Sequence, residues 1–371
     1  MVGRVSAAVA VSVLAACCIG LIPAPSLPAQ TISDSVVSKH LRIRIPTERL
    51  WLARESISDM ERSWEFVRAA TGGKLPGRVL IVVAWDDAAS SADPDSATIS
   101  IGMADPAAAR DLRGFLVHSA ARELSRLALI TLSDQGASRP ENRFLLDGMS
   151  EILAHEFSNS VRRLSAAWAV SFYLDRVAPL SLNRLATRAA DSPGRRDLLA
   201  AAPGITLLTL CRERFGRERV LKLFEMLGDR NPEESLSAAF RVPAAEAETD
   251  WLKRVRSYTP VDVTPAGAEE APVLVRLESA PDQANAGSVL SLRLFANDSN
   301  LDLTPSGLFV VDETGGKVLQ GRQAGSGGGR HVLFELPIEA SRPAGTYRLA
   351  MAAIDGGGNV RNWEAHYTVA R

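Results

Sequence analysis

Phe115-Leu-Val-His118-Ser-Ala-Ala-Arg122-Glu123-Leu-Ser-Arg126-Leu-Ala-Leu129 and, further on, Phe144-Leu-Leu-Asp147-Gly148-Met-Ser-Glu151-Ile-Leu-Ala154-His155 are the two stretches that decide the reading of this chain. Apolar residues recur at helical spacing through both. They predict one helix over Leu112 to Ile130 and another over Phe144 to Phe157. Residues four apart lie above one another on a helix. His118, Arg122 and Arg126 therefore share one face, and Asp147, Glu151 and His155 share another. Taken alone, Arg-Glu-Leu-Ser-Arg is ordinary for a solvated helix, where i,i+4 charge pairs are common. What matters is the second stripe, whose acids complement the bases of the first.

Working outward, residues 31–258 read as α+β. Leu41 to Ile45 alternates as a strand, and Thr47 caps a helix that runs to about Ala70 and closes on Gly72-Gly73. Val79 to Trp85 is a continuous apolar strand, and Ala97 to Gly102 is another. Arg162 to Val177, Ile205 to Phe215, Arg217 to Leu227, Pro232 to Phe240 and Ala244 to Arg256 complete the helices, separated by Gly or Pro breaks. Residues 259–272 hold three Pro and no aromatic residue and read as a linker. Residues 273–371 contain six alternating runs split by Gly-, Asp- and Pro-rich turns, the pattern of an antiparallel sandwich.

The first 30 residues carry one charge, Arg4, then an apolar core and a small-residue exit, as in a secretory signal. Cleavage near Ala29 fits this profile. Leu14-Ala15-Ala16-Cys17 also resembles a lipobox, in which Cys17 would carry a lipid. Either route predicts a secreted, periplasmic or envelope protein, touching a membrane only through that N-terminal lipid. Beyond Cys17 and Cys18 the only cysteine is Cys211, in an apolar run, so no internal disulfide framework exists. Lys plus Arg number 42 against 43 Asp plus Glu, a net charge of -1, which argues against a nucleic-acid partner. With 46% hydrophobic and 23% charged residues, wholesale disorder is excluded. No Gly-x-Ser-x-Gly and no phosphate-loop pattern occurs.

Arg122-Glu123-Leu124-Ser125-Arg126 resembles the His-Glu-x-x-His pentad of zinc peptidases, with Arg at both His positions. Phe144 to Ala154 is similar to the helix of gluzincin peptidases that supplies the third zinc ligand, at Asp147. Arg126 and Asp147 stand 21 positions apart, close to the spacing in that clan. Ser38 to Ile43, Leu207 to Gly216 and Glu233 to Trp251 resemble further segments of the peptidase-MA-like family, so the resemblance covers roughly residues 36 to 256. Ala344 to Asn359 resembles the last strands of bacterial Ig-like domains.

The resemblance implies a gluzincin-like metallopeptidase domain followed by an all-β Ig-like sandwich. It gives Glu123 the general-base position, Arg122, Arg126 and Asp147 the metal-ligand positions, and Glu151 the place of the carboxylate that steadies a zinc-bound His. It also puts the family's peptide-binding edge strand near Ala97 to Gly102. Arg is a permanent cation with donors only and cannot ligate zinc. The expectation is therefore a zinc site that has been lost, no cofactor, and Arg122 or Arg126 in salt-bridge contact with Asp147 or Glu151. Such a domain would be a catalytically inactive homologue that binds a peptide or an envelope partner. The alternatives are an active metallopeptidase with a non-standard metal site, using His118, His155 and a carboxylate, and a purely structural envelope protein. His155-Glu156-Phe-Ser-Asn159 is a second imperfect pentad, and Asp355 and Asn359 fix a hairpin turn, with a Ca²⁺ site alongside Asp298 or Asp302 as a minor reading.

Overall fold

The computed structural model describes residues 33–85, 90–103, 111–158, 162–191, 198–262, 272–298, 303, 307–323 and 331–370. The expected signal with Cys17 and Cys18, most of the linker, Asp302, Asn159 and Gly325 to Gly329 lie outside these residues. Residues 33–371 form one compact unit.

The N-terminal sheet holds β1 (Ser33–Val37), β2 (Leu41–Pro46), β3 (Val79–Ala84), β4 (Ser91–Asp93) and β5 (Thr98–Gly102), in the order β1-β2-β3-β5-β4. β2, β3 and β5 run parallel, while β1 and β4 pair antiparallel at the two edges. Strict alternation along β2 buries Leu41, Ile43 and Ile45 and exposes Arg42 and Arg44. Ile81, Val83, Ile99 and Ile101 join the same buried face. Two helices of 21 residues cover that face: α1 (Leu50–Ala70) through Leu52, Met60, Trp64 and Val67, and α2 (Leu112–Leu132) through Leu116, Leu124 and Leu127. Gly72 and Gly73 end α1 at φ +68° and +86°, the left-handed region glycine enters without cost.

Two expectations change here. Thr47 does not cap α1; it lies in a 3-10 turn, Thr47–Arg49, and the α-helix starts at Leu50. The strand at Thr98–Gly102 is not the edge, because β4 pairs with its outer side. The edge is β4, whose polar sequence Ser-Ala-Asp gave no strand signal.

The remaining helices are α3 (Arg143–Ser158), α4 (Arg162–Val177), α5 (Leu182–Asp191), α6 (Leu198–Phe215), α7 (Arg217–Met226), α8 (Pro232–Phe240) and α9 (Ala244–Arg256). They share a core with Trp251, Phe224, Leu207 and Leu208 fully or almost fully buried. Pro203 lies inside α6, which therefore begins seven residues before the expected Ile205. α3 crosses α6 backbone to backbone. A Cβ on Gly148 would come within 2.4 Å of Gly204 C, and one on Gly204 within 1.9 Å of Phe144 O. Only glycine fits at either position, and this crossing fixes the depth of α3.

The C-terminal region is two sheets. One has the order β10-β9-β13-β14-β7, from Lys317–Gln320, Leu308–Asp312, Gly345–Ile354, Val360–Val369 and Gln283–Ala284. The other has the order β11-β12-β8-β6, from Arg322–Gln323, His331–Pro337, Val289–Asn297 and Val273–Ala280. Leu290, Leu292, Leu294, Phe334, Val310 and Met351 from both sheets form one apolar cluster. The outer face of the first sheet packs on the helices. Tyr173 of α4 stacks on Phe309 with ring centroids 5.0 Å apart, and its hydroxyl donates to Asn362 Oδ1 at 3.2 Å. Among the described residues no helix is long and apolar enough to cross a membrane.

Candidate functional site

α2 and α3 lie side by side in opposite directions, so the two stripes read from the sequence meet rung by rung. Arg126 donates to Asp147 in a short contact. One turn along, Arg122 Nη1 donates to Glu151 Oε1 at 3.3 Å. One turn further, the His118 and His155 rings face each other with centroids 4.9 Å apart, and Glu151 Oε2 reaches both, 3.5 Å from His118 Nε2 and 3.4 Å from His155 Nε2. The expected salt bridges between the arginines and the acids of the second helix are thus present.

Local structure holds these rungs. The Asp111 side chain caps α2 by accepting from the Gly114 amide at 2.8 Å. Ser125 and Ser150, fully buried, return their hydroxyls to Ala121 O and Leu146 O of their own helices. They are small enough to let α2 and α3 approach. The link between the helices turns through Asp134 and Gln135, both at positive φ, and Asn142 Nδ2 ties it to Gly136 O at 2.8 Å.

The charges balance. Glu123, with no exposed surface, lies 3.1 Å from Arg122 Nε and 3.4 Å from Arg126 Nε. Arg143, one turn before Asp147, comes within 3.6 Å of its second oxygen. Three guanidinium groups therefore meet three carboxylates. Buried charges need such pairing, because desolvation costs several kcal/mol per ion. Burial alone would raise the pKa of Glu151; His118, His155 and Arg122 outweigh it and hold the carboxyl well below its usual range. Burial likewise opposes the charge on Arg122, and Glu123 and Glu151 prevail.

The zinc seat implied by the resemblance does not fit a metal. Its three ligand positions hold two guanidinium groups and an aspartate already engaged by one of them. A guanidinium offers no lone pair, and two of them repel a dication. The oxygens of Glu123, the general-base position of the resemblance, face the two arginines. The space among Arg122, Arg126, Asp147, Glu151 and Ala201 of α6 leaves about 10 Å³ for the centre of a water molecule, room for one water.

Other sequence candidates are settled by placement. Cys211 is buried, and burial pushes its thiol up to about 12, so it is a packing residue and no nucleophile. Glu156 of the second imperfect pentad pairs with Arg212 rather than with the His rung. His40 stacks on Trp64 at 3.7 Å and pairs through Nδ1 with Glu61 at 2.5 Å. Asp355 accepts from the Asn359 amide at 2.8 Å and from Asn359 Nδ2 at 2.7 Å, which closes the β13–β14 turn. The His118–Glu151–His155 cluster is the feature that sequence reasoning underweighted. Its signal was the i, i+4, i+8 stripe ending in His155.

No family model matches the chain, and no curated protein does. Three of the distant likenesses among solved structures are these. CopC from Methylosinus trichosporium OB3b is 18% identical over 26% of this chain and 92% of its own, with a TM-score of 0.18. The alkylpurine DNA glycosylase AlkC of Pseudomonas fluorescens is 13% identical over 86% of this chain and 99% of its own, with a TM-score of 0.22. The structure of the M60 catalytic domain with two CBM51 domains from Clostridium perfringens ZmpB is 9% identical over 91% of this chain, with a TM-score of 0.23. This chain spans 44% of that structure's length. None of these scores is high enough to carry the fold.

Proposed function

We propose that residues 33–258 are a zinc-peptidase-like domain that has lost its catalytic metal and serves as a non-catalytic binding module, exported to the cell envelope and followed by an Ig-like sandwich. The observation that carries this reading is the pair of rungs Arg126–Asp147 and Arg122–Glu151. Side chains that cannot ligate a metal occupy the positions where the resemblance puts ligands, and each is neutralised by an acid across the helix pair. The fixed charge of the guanidinium groups takes the place of the ion's charge, and the general-base position, Glu123, becomes one more counterion.

The edge for a bound peptide or partner strand is β4, which offers its outer side beyond β5. A second reading, a purely structural envelope protein, draws support from the single-water space beside Arg122, since no cleft for a side chain opens there.

The test is a casein-type proteolysis assay on the purified protein with added Zn²⁺ and with a chelator. We expect no cleavage in either. Chelator-sensitive turnover by the wild-type protein would overturn the proposal. The triple change R122H/R126H/D147E restores the pentad and its third ligand; one equivalent of zinc in that variant beyond what the wild-type protein binds supports the peptidase ancestry on which the reading rests.

A further inference from the structure

We infer that His118, Glu151 and His155 form a binding site for a divalent transition-metal ion, best suited to Zn²⁺, displaced by one helical turn from the positions that correspond to the peptidase metal seat. The inference goes beyond the proposed function: it concerns His118 and His155, which that reading leaves unused, and the Glu151 oxygen turned away from Arg122, and it makes no claim of catalysis.

Four observations converge on it. The first is distance. Zn–N and Zn–O bonds of about 2.0–2.1 Å at tetrahedral angles put neighbouring ligand atoms about 3.3–3.4 Å apart. Glu151 Oε2 lies 3.4 Å from His155 Nε2 and 3.5 Å from His118 Nε2, and all three ligand atoms fall within 4.8 Å of one another. Only a small closing of the two rings is needed.

The second is His155 itself. It is 2% exposed, and neither ring nitrogen makes a hydrogen bond among the described residues. Its Nε2 only faces the carboxylate at ion-pair range. A buried polar ring left so poorly satisfied is costly unless something else engages it. A metal ion bound at Nε2 supplies that partner.

The third is orientation from outside the cluster. Arg122 Nη1 holds Oε1 of Glu151, which turns Oε2 toward the histidines. Ser158 Oγ lies 3.5 Å from His118 Nδ1, which leaves Nε2 to point inward. Groups that fix a ligand through its other polar atom are the usual support of a metal site. The Arg122 charge, which would repel a dication, is itself countered by Glu123 at 3.1 Å.

The fourth is access. The His118 side chain keeps 14% of its surface exposed, so an ion can enter from that side and keep a water as its fourth ligand. Two imidazoles and one carboxylate suit zinc and its first-row neighbours and do not suit Ca²⁺ or Mg²⁺.

The experiment is Co²⁺ titration of the chelator-stripped full-length protein, followed by visible absorption, with Zn²⁺ added afterwards. We expect one equivalent of Co²⁺ to give the intense bands of a four-coordinate site and Zn²⁺ to bleach them. His118→Ala and His155→Ala should each weaken binding by about 100-fold or more, while Arg126→Met leaves it within about threefold. Melting of the stripped variants checks folding; if His155→Ala unfolds, the partly exposed His118→Asn carries the test alone. Absence of the bands in the wild type, or bands that survive both histidine changes, overturns the inference. Bands lost in Asp147→Asn and kept in His118→Ala would put the ion in the peptidase-like seat, and would overturn both this inference and the proposed function. Displaced binding together with casein cleavage would keep the inference and remove only the proposed function.

Discussion

Among the described residues, arginine–carboxylate contacts with both partners largely buried occur in two places, and the two are built differently. In the C-terminal sheets, Arg342 Nη1 donates to Asp312 Oδ2 at 2.7 Å and also to the Tyr367 hydroxyl, which in turn lies 3.4 Å from Asp312 Oδ1. The Arg342 guanidinium also sits 5.0 Å from the centre of the Tyr347 ring. That cluster is closed: one cation, one anion, and a hydroxyl whose own titration is pushed up to about 12, mainly by burial. Between α2 and α3 the charges run along a ladder with spare members. Asp147 has two arginines, Glu151 has an arginine and two histidines, and His155 stands at the end of the series without a hydrogen bond. A closed triad explains itself as structure. A ladder that ends in a buried, poorly satisfied ring is what a site for something else looks like.

Removing one cation from each place separates the two designs. Arg342→Met leaves Asp312 charged, 1% exposed and without a second cation within ion-pair range among the described residues. Losing one partner of a buried pair costs about 3–5 kcal/mol. We expect urea unfolding to shift by that amount at an unchanged m-value. Arg126→Met should cost less, about 2 kcal/mol, because Arg143 lies 3.6 Å from Asp147 and Arg122 remains beside Glu123. The double variant R126M/R143M should then lose more than the sum of its singles, since the second change removes the substitute. Equal costs for Arg342→Met and Arg126→Met would show that the ladder has no redundancy.

The ladder could be read from the sequence because helical spacing alone puts His118, Arg122 and Arg126 on one face and Asp147, Glu151 and His155 on another. Opposite charges four residues apart on two neighbouring helices leave one sensible register. Strand order was not legible in the same way. Ser91–Asp93 is too short and polar to announce itself, yet by pairing with β5 it takes the edge that the resemblance had given to Thr98–Gly102. Pro203 hid the seven residues of α6 before Ile205, because a proline normally ends a helical reading. The Gly148–Gly204 crossing, which sets how deep the acids of α3 lie, depends on a contact between helices far apart in sequence. No local pattern encodes it.

Acid titration sharpens the contrast between an anion with cations and one without. Asp355 is 2% exposed and has amide donors but no cation partner among the described residues, and burial raises its carboxyl to about 6 from an ordinary 3.8. The folded state therefore binds this proton more tightly than the unfolded chain. Its contribution is full below about pH 3.8 and is lost as pH rises through about 6, an effect of roughly 2–3 kcal/mol. Glu151, also buried but held low by His118, His155 and Arg122, runs the other way: its contribution is present above 4.5 and disappears as pH falls. We expect the stability difference between wild type and Asp355→Asn, followed by urea midpoints from pH 4 to 8, to change in favour of the variant as pH rises. A flat difference across that range would mean that Asp355 titrates as an ordinary carboxyl.

The smallest expected effect tests the end of the ladder directly. His155→Leu replaces a buried ring that lacks hydrogen bonds with an apolar side chain of similar size. In chelator-treated protein the change should be neutral or stabilising by up to about 1 kcal/mol, because the desolvation of the imidazole no longer has to be met. Glu151 keeps Arg122 and His118, so no charge is orphaned. With saturating Zn²⁺ the order should reverse. A ligand that binds only the folded state stabilises by about 2.7 kcal/mol at a hundred times its dissociation constant, and the leucine variant forgoes that gain. If His155→Leu is instead destabilising by 2 kcal/mol or more in the chelated protein, the imidazole is a structural member of the ladder, as complete in its own way as the Arg342 triad.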